Sequence, residues 1–399
     1  MTGSSAAPES GWHRWIAVAG VSLVSAGLAA YEIAPASISP VVRESLGVGP
    51  TAAGLLVGVV FGTIVISSVP VGVALDRTGS RGAIGVAVLA LAIAGVWGWW
   101  AGERGDVASL LTSRVLGGLA SAVVWNAGID VVSRLATAQH RATAVGVFTA
   151  SGPLGFAVGQ ATAPVVAARA GWAAVFPAAA SVGVLGLAVF WPASRGLRGR
   201  TGAPPSLREV TTVIRSPAVL QVATLGFLAY SLYLFLNAWG PSYLTEDLGL
   251  ALGLSGLLVA AFPATGVLAR TASGLVSDRL FGGRRRPVVL LTFAVSAPVL
   301  VVFTHLETVP ILFAALLVAG FAVHLTLALS YSYVQDVVAP NVRATAVAFQ
   351  TSAGLAGAFL APVVGGVVVD AAGYDAAFLL ASGIATVGFL VASRAPEPA

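Results

Sequence analysis

The chain contains no cysteine and no lysine, and its single methionine is residue 1. Without cysteine there is no disulfide, no thiolate metal site and no cysteine nucleophile. Without lysine there is no Gly-x-x-x-x-Gly-Lys phosphate loop, which removes an ATP-driven pump. Charge is scarce too, at 9% of 399 residues, where a soluble domain carries about 25%. With 57% hydrophobic residues the chain has too little polar surface to clothe a soluble fold, so a lipid bilayer is its solvent. The four histidines are dispersed and show no metal-ligand spacing, so no metal, no other cofactor and no catalytic residue is expected. A formal charge of +5 does not point to nucleic acid, because the 21 arginines sit in short breaks between apolar runs rather than on one basic face.

Apolar runs are what the chain has in abundance. A bilayer-spanning helix needs about 20 mostly apolar residues. Twelve such runs fall at 14–39, 52–75, 83–101, 107–133, 141–167, 173–193, 218–241, 253–276, 287–304, 309–334, 343–369 and 375–393. Glycine and proline recur inside them, which lipid tolerates and which lets helices approach closely. The alternation of a membrane β-barrel is absent. His13-Arg14 before an apolar run reaching Ala29-Ala30 imitates a secretory signal. The run continues to Val42, however, and has a counterpart deep in the chain, so it is read as an uncleaved first span.

Arginine bias orients the spans. With the N-terminus inside, cytoplasmic segments hold 16 arginines and the outer loops 3 (Arg43, Arg104 and Arg169), leaving Arg114 and Arg270 within spans. The expected organisation is a cytoplasmic tail 1–13, a six-helix bundle 14–193, a cytoplasmic linker 194–217, a second bundle 218–393 and a cytoplasmic tail 394–399, all at the cell membrane. A repeat supports the division. Gly72, Asp76 and Arg77 return as Gly274, Asp278 and Arg279, each 202 residues on. Arg141-Ala-Thr-Ala-Val returns as Arg343-Ala-Thr-Ala-Val at the same offset, as do Gly171/Gly373 and Phe176/Phe378. Two parallel six-helix repeats are a transporter architecture, with substrate near the midplane between them.

These features together resemble the major facilitator superfamily over essentially the whole chain. Its loop signature Gly-x-Leu-Ala-Asp-Arg-x-Gly-Arg-Arg is matched by Gly72, Asp76, Arg77, Gly79 and Arg81, with Ser80 departing. The second copy has Phe281 where glycine belongs, then Gly282-Gly283. Arg114-x-x-x-Gly118 is similar to the family's span-4 arginine motif, and Gly152-Pro153-x-Gly155 is similar to a signature associated with antiporters. The resemblance implies an all-α membrane fold of twelve transmembrane helices, arranged as two six-helix bundles related by pseudo-two-fold symmetry. It also implies alternating access, with spans 1, 4, 7 and 10 around the cavity and spans 3, 6, 9 and 12 facing lipid. Spans 3, 6 and 9 carry no charged residue.

Charge inside a bilayer is costly and marks function by default. Glu32 and Arg114 lie at similar depth on spans 1 and 4, as a proton-coupling pair or a static ion pair. Arg270 either meets an anionic substrate group or snorkels to the surface. His324 is a proton relay, a substrate ligand or a packing residue. Tyr31, Asn126, Tyr233, Asn237 and Gln350 supply further polar surface to the expected cavity, or pack and bridge helices. For the cytoplasmic gate, Gly72 is expected to let span 2 approach a neighbour closely, and Asp76 to meet the positive helix end near Asn341-Val342-Arg343. Asp130 then competes for Arg77 or Arg81, and Gly274, Asp278 and Arg279 form the second copy. The expectation is a monomeric, proton-linked secondary transporter with lipid, protons and a small molecule as partners. It is either an exporter relying on Glu32 or an uptake carrier for organic anions relying on Arg270, Arg114 and His324. A receptor or sensor built on the same fold is the reading from a different class.

Overall fold

The computed structural model describes residues 11–137, 139–195, 197 and 207–397, and among them there is helix and no strand. The first half contains α1 (Gly11–Ser37), α2 (Ser39–Leu46), α3 (Pro50–Thr78), α4 (Ser80–Glu103), α5 (Val107–Leu135), α6 (Arg141–Ala170) and α7 (Val175–Ala193). The second contains α8 (Leu207–Ile214), α9 (Pro217–Glu246), α10 (Leu252–Leu275), α11 (Arg286–Phe303), α12 (Val309–Asp336) and α13 (Arg343–Ser393). The last is one hydrogen-bonded run bent at Gly373 (φ 81, ψ −178), so it supplies two spans. Gly171, its repeat partner, has φ 84 and ψ 152 at the matching turn. A left-handed φ at both positions is why glycine recurs there.

Two elements were not expected. The short α2 follows α1 directly, started by Pro40 and closed by Gly47 at φ 63. The amphipathic α8 occupies the end of the segment read as a linker; residues 198–206 of that segment lie outside the described residues. Elsewhere helices begin where the residues dictate. Proline stands at the first turn of α3 and α9, where its missing N–H costs nothing. The Asp106 carboxylate accepts from Ser109 N at 3.0 Å to cap α5.

Within the first half α1 packs on α6 and α7, and α5 on α3 and α4; within the second α9 and α11 pack on α13, and α10 on α12. The halves meet along α3 with α13, α6 with α10, and α1 with α9. One stripe of α3 shows how. Gly54, Gly58 and Gly62 lie against Pro362 and Phe359 of α13, so closely that a Cβ at Gly58 would sit 2.7 Å from the Phe359 carbonyl oxygen. The same stripe continues through Ile66 and Val69, which are 81% and 74% exposed. The halves are therefore zipped at the end bearing Gly49 and Asp370, and splayed at the end bearing the arginine-rich loops. These are called below the far end and the basic end.

Candidate functional site

Between the halves lies a cavity of about 740 Å³ of non-atom space, its open mouth included. α1 contributes Ser25, Leu28, Ala29 and Glu32; α3 contributes Phe61 and Ile64; α5 contributes Ser121, Val124 and Trp125. α6 adds Gly152, Pro153 and Phe156, α9 adds Tyr230, Tyr233 and Leu234, α10 adds Arg270, and α13 adds Thr351 and Leu355. The expected ring of spans 1, 4, 7 and 10 is thus only partly what lines it. Spans 2, 5, 8 and 11 take part, and α12, which is span 10, does not.

The reason α12 drops out is aromatic packing. Tyr233 is stacked between Phe156, at 5.4 Å between centroids, and Phe262, at 5.8 Å. His324 lies edge-on behind Tyr233 at 4.9 Å and its Nδ1 bonds the Gly320 carbonyl at 2.8 Å. It is fully buried behind this layer rather than on the wall. Because Phe156 belongs to one half and Tyr233 to the other, the stack crosses the interface.

Of the residues expected at the site, Glu32, Tyr233 and Arg270 come together on the cavity wall. The others do not reach it. Tyr31 is buried against Phe176 at 5.9 Å and its hydroxyl donates to the Ser113 carbonyl at 3.3 Å. Asn126 and Asn237 each donate to the carbonyl four residues earlier, Ala122 and Tyr233, at 2.8 Å. Gln350 donates to Ser330 Oγ at 2.9 Å.

Arg114 is the clearest correction. Its guanidinium was expected to hold the Glu32 carboxylate; among the described residues no ion pair joins them. Instead Nε donates to the Leu56 carbonyl at 2.9 Å, and Nη1 and Nη2 donate to the Tyr31 and Glu32 carbonyls at 2.6 Å each. The Tyr31 ring sits 4.6 Å beneath it. Pro35 explains the attraction: it has no N–H to give the carbonyl four residues earlier, so Tyr31 O needs another donor. Each bond from a charged donor is worth roughly 1.5–3 kcal/mol, so Arg114 ties α1, α3 and α5 together and leaves the Glu32 carboxylate to the cavity.

Arg270 crosses the interface. Its Nη1 donates to the Thr149 carbonyl of α6 at 2.9 Å, and its Nε is buried without a partner. Thr149 O is free to accept because Pro153 stands four residues on. Among the described residues neither Arg270 nor Glu32 is in an ion pair, so the cavity presents one basic and one acidic group, neither neutralised by an opposite charge.

At the basic end the expected gate is only partly assembled. A Cβ at Gly72 or Gly274 would meet nothing within 4 Å, so the close approach expected at Gly72 is not made in this splayed arrangement. The side chains of Asp76 and Arg77 lie outside the described residues. Asp130 pairs with Arg134, one turn further along α5, and accepts from Ser80 Oγ at 2.6 Å. Arg81 is not its partner, because the guanidinium is spent on α7: on Ser194 Oγ at 3.0 Å, the Trp191 carbonyl at 2.8 Å and the Trp191 ring at 3.9 Å. In the second copy Asp278 pairs with Arg285 at 3.1 Å, which also reaches Asp336 at 3.2 Å, while Arg279 is exposed. Arg285 was legible only as one of three consecutive arginines.

The far end holds contacts that no motif announced. Arg43 of α2 pairs with Glu246 at 3.0 Å, and the Tyr374 hydroxyl donates to the same carboxylate at 2.7 Å. Asp370 accepts from Thr51 N at 2.9 Å and also from its hydroxyl, so α13 of one half caps α3 of the other.

Comparison with known proteins agrees with this architecture. The sequence profile of the Major Facilitator Superfamily matches residues 18–282 and 222–399. The chain is 26% identical over 385 residues to the hexuronate transporter of Bacillus subtilis (strain 168), covering 90% of this chain and 89% of that protein. It is 26% identical over 366 residues to the probable L-galactonate transporter of Escherichia coli (strain K12), covering 82% and 77%. The membrane sensor protein UhpC of Escherichia coli (strain K12) is 28% identical over 264 residues, 60% of this chain and 58% of that one. Among solved structures, a bacterial homolog of the human lysosomal transporter Spinster, in its inward-facing and occupied conformation, superposes with a TM-score of 0.79. The identity is 14%, and the match covers 96% of this chain and 97% of that one. Twelve spans, a cavity between two halves and a profile that spans both repeats lead to one conclusion: the chain belongs to the Major Facilitator Superfamily.

Proposed function

We propose that the chain is a secondary transporter of a small organic anion, with Arg270 as the counter-charge of the substrate and Glu32 as the group that carries a coupled proton. The observation that supports this most directly is Arg270: a guanidinium at the cavity wall with a buried, unpartnered Nε and, among the described residues, no carboxylate bound to it. Such a group binds a carboxylate through two parallel bonds. Glu32 faces the same space, and an acid on an alternately exposed cavity can load a proton on one side and release it on the other. The relatives named for hexuronate and L-galactonate carry anions, which favours the same reading. The arginine bias makes the basic end cytoplasmic, so the cavity opens inward here.

The test is flux into proteoliposomes with a panel of small organic acids, with and without an imposed pH gradient. Arg270→Gln abolishes anion flux, and Arg270→Lys retains part of it, since an ammonium lacks the fork geometry. Full flux in Arg270→Gln would refute the anion site. The match to a membrane sensor favours a second reading, binding without transport. The same panel decides it, because a sensor binds the anion and moves none.

A further inference from the structure

We infer that the transported anion is a small carboxylate with a hydrocarbon body, an arene or short alkane, and not a polyhydroxylated acid of the kind named for the relatives. This rests on the anion reading of Arg270 and deepens it.

The argument starts from what the cavity can offer a hydroxyl group. A sugar acid brings several hydroxyls, each both donor and acceptor, and amide side chains answer that pattern best. Five amides, Asn126, Gln160, Gln221, Asn237 and Gln350, lie on the helices around the cavity, and none is among the residues that line it. Asn126 and Asn237 bond their own helices at 2.8 Å. Gln160 donates to the Asn237 carbonyl at 2.7 Å, and Gln350 to Ser330 at 2.9 Å. Of the five wall hydroxyls, Thr351 donates to the Val347 carbonyl at 2.8 Å and Tyr230 is paired with Tyr331 at 3.1 Å, which leaves Ser25, Ser121 and Tyr233, fewer than the hydroxyls of a sugar acid. A hydroxyl stripped of water and left unmet costs roughly tenfold in affinity. A polyol would meet that cost several times over.

What the wall does offer is hydrocarbon. Phe61, Ile64, Trp125, Phe156 and Leu355 surround the space beside Arg270. The Phe156–Tyr233–Phe262 stack holds part of this surface rigid, with ring planes inclined at 17° and 25°. Apolar body against this surface and carboxylate on Arg270 together satisfy both kinds of group present. The wall is built from both halves, so the hydrocarbon body is gripped only where the halves meet.

The experiment is a thermal-stability panel on the purified full chain in detergent, since a ligand of the folded state raises the melting temperature according to its affinity. Benzoate and hexanoate are compared with glucuronate and galactonate at matched millimolar concentration. The hydrocarbon acids are expected to bind at least about tenfold more tightly, the cost of one unmet hydroxyl. Equal or tighter binding of a sugar acid overturns the inference, and so does a panel in which no acid shifts the melting temperature. Benzamide and Arg270→Gln separate the two levels. If benzamide binds like benzoate and Arg270→Gln binds benzoate normally, the anion reading falls while the hydrocarbon preference stands. If sugar acids bind best and Arg270→Gln loses them, the anion reading stands and this inference falls. Leu355→Asn, which puts an amide on the wall, should narrow the ratio; should it fail to fold, the wild-type panel still decides.

Discussion

Pro35, Pro153 and Pro241 each withhold the amide proton that the carbonyl four residues earlier would accept, and in each case a side chain from another helix takes its place. Arg114 answers Tyr31, Arg270 answers Thr149, and Gln160 answers Asn237. The prolines are plain in the sequence; which side chain answers is not, because that depends on which helices become neighbours. Arg114→Leu leaves the buried Tyr31 carbonyl unmet and should cost about 2–4 kcal/mol, read as a fall of several degrees in melting temperature in detergent. Adding Pro35→Ala restores an intrahelical donor, so the double variant should melt higher than the sum of the single effects allows. Strict additivity would mean that Arg114 matters through packing alone. Glu32→Gln makes a different prediction. Proteoliposomes carrying it should still exchange substrate but should no longer accumulate it under a pH gradient. Accumulation at the normal rate would count against Glu32 as the proton site.

Helix ends carry the next level. Gly79 holds φ at 78 between α3 and α4, where the signature loop requires a left-handed residue. In the second copy that position is Phe281, at φ −122, and the left-handed turn is displaced to Gly282 and Gly283, at 61 and 82, after a π-turn over Val276–Leu280. The departure from the motif was legible, but the local rewinding that accommodates it was not. At the far end, the Asp370 cap on α3 holds the two halves shut, a contact worth about 0.5–2 kcal/mol. Asp370→Ala should therefore raise the reactivity of a cysteine placed at Val363, on the adjoining face of α13, toward a reagent applied from the far side. The parent chain has no cysteine to react. Unchanged labelling would show that the glycine packing alone keeps this end closed. Nearby, partial burial and the neighbouring Asp375 and Glu246 carboxylates raise the pKa of Asp247. A raised acid binds more protons in the folded state, so its contribution to stability falls as pH rises through the carboxylate range. Asp247→Asn should accordingly raise the melting temperature at neutral pH and lose that advantage in acid, with salt shrinking the effect at this exposed site.

At the scale of the molecule, α3 acts as a zip whose glycine stripe is closed at the far end and whose Ile66–Val69 continuation is open. Val69→Cys should label readily from the basic end and slowly when a transported anion closes that side. Equal labelling with and without anion would mean that the halves do not rock about this seam. The sequence alone determined the spans and the 202-residue repeat of their motifs, because lipid imposes length and apolarity on every span independently. It also singled out Glu32 and Arg270, since charges that survive inside a bilayer are few. Tertiary structure decided which of the polar residues meet. Arg114 turned from the Glu32 carboxylate to three carbonyls, His324 fell behind Tyr233, and Asp130, expected to compete for Arg77 or Arg81, paired with Arg134 while Arg81 turned to α7. The difference is one of range. Each of those choices depends on the angle between two helices and the nearest unsatisfied acceptor, and neither is written along a single span.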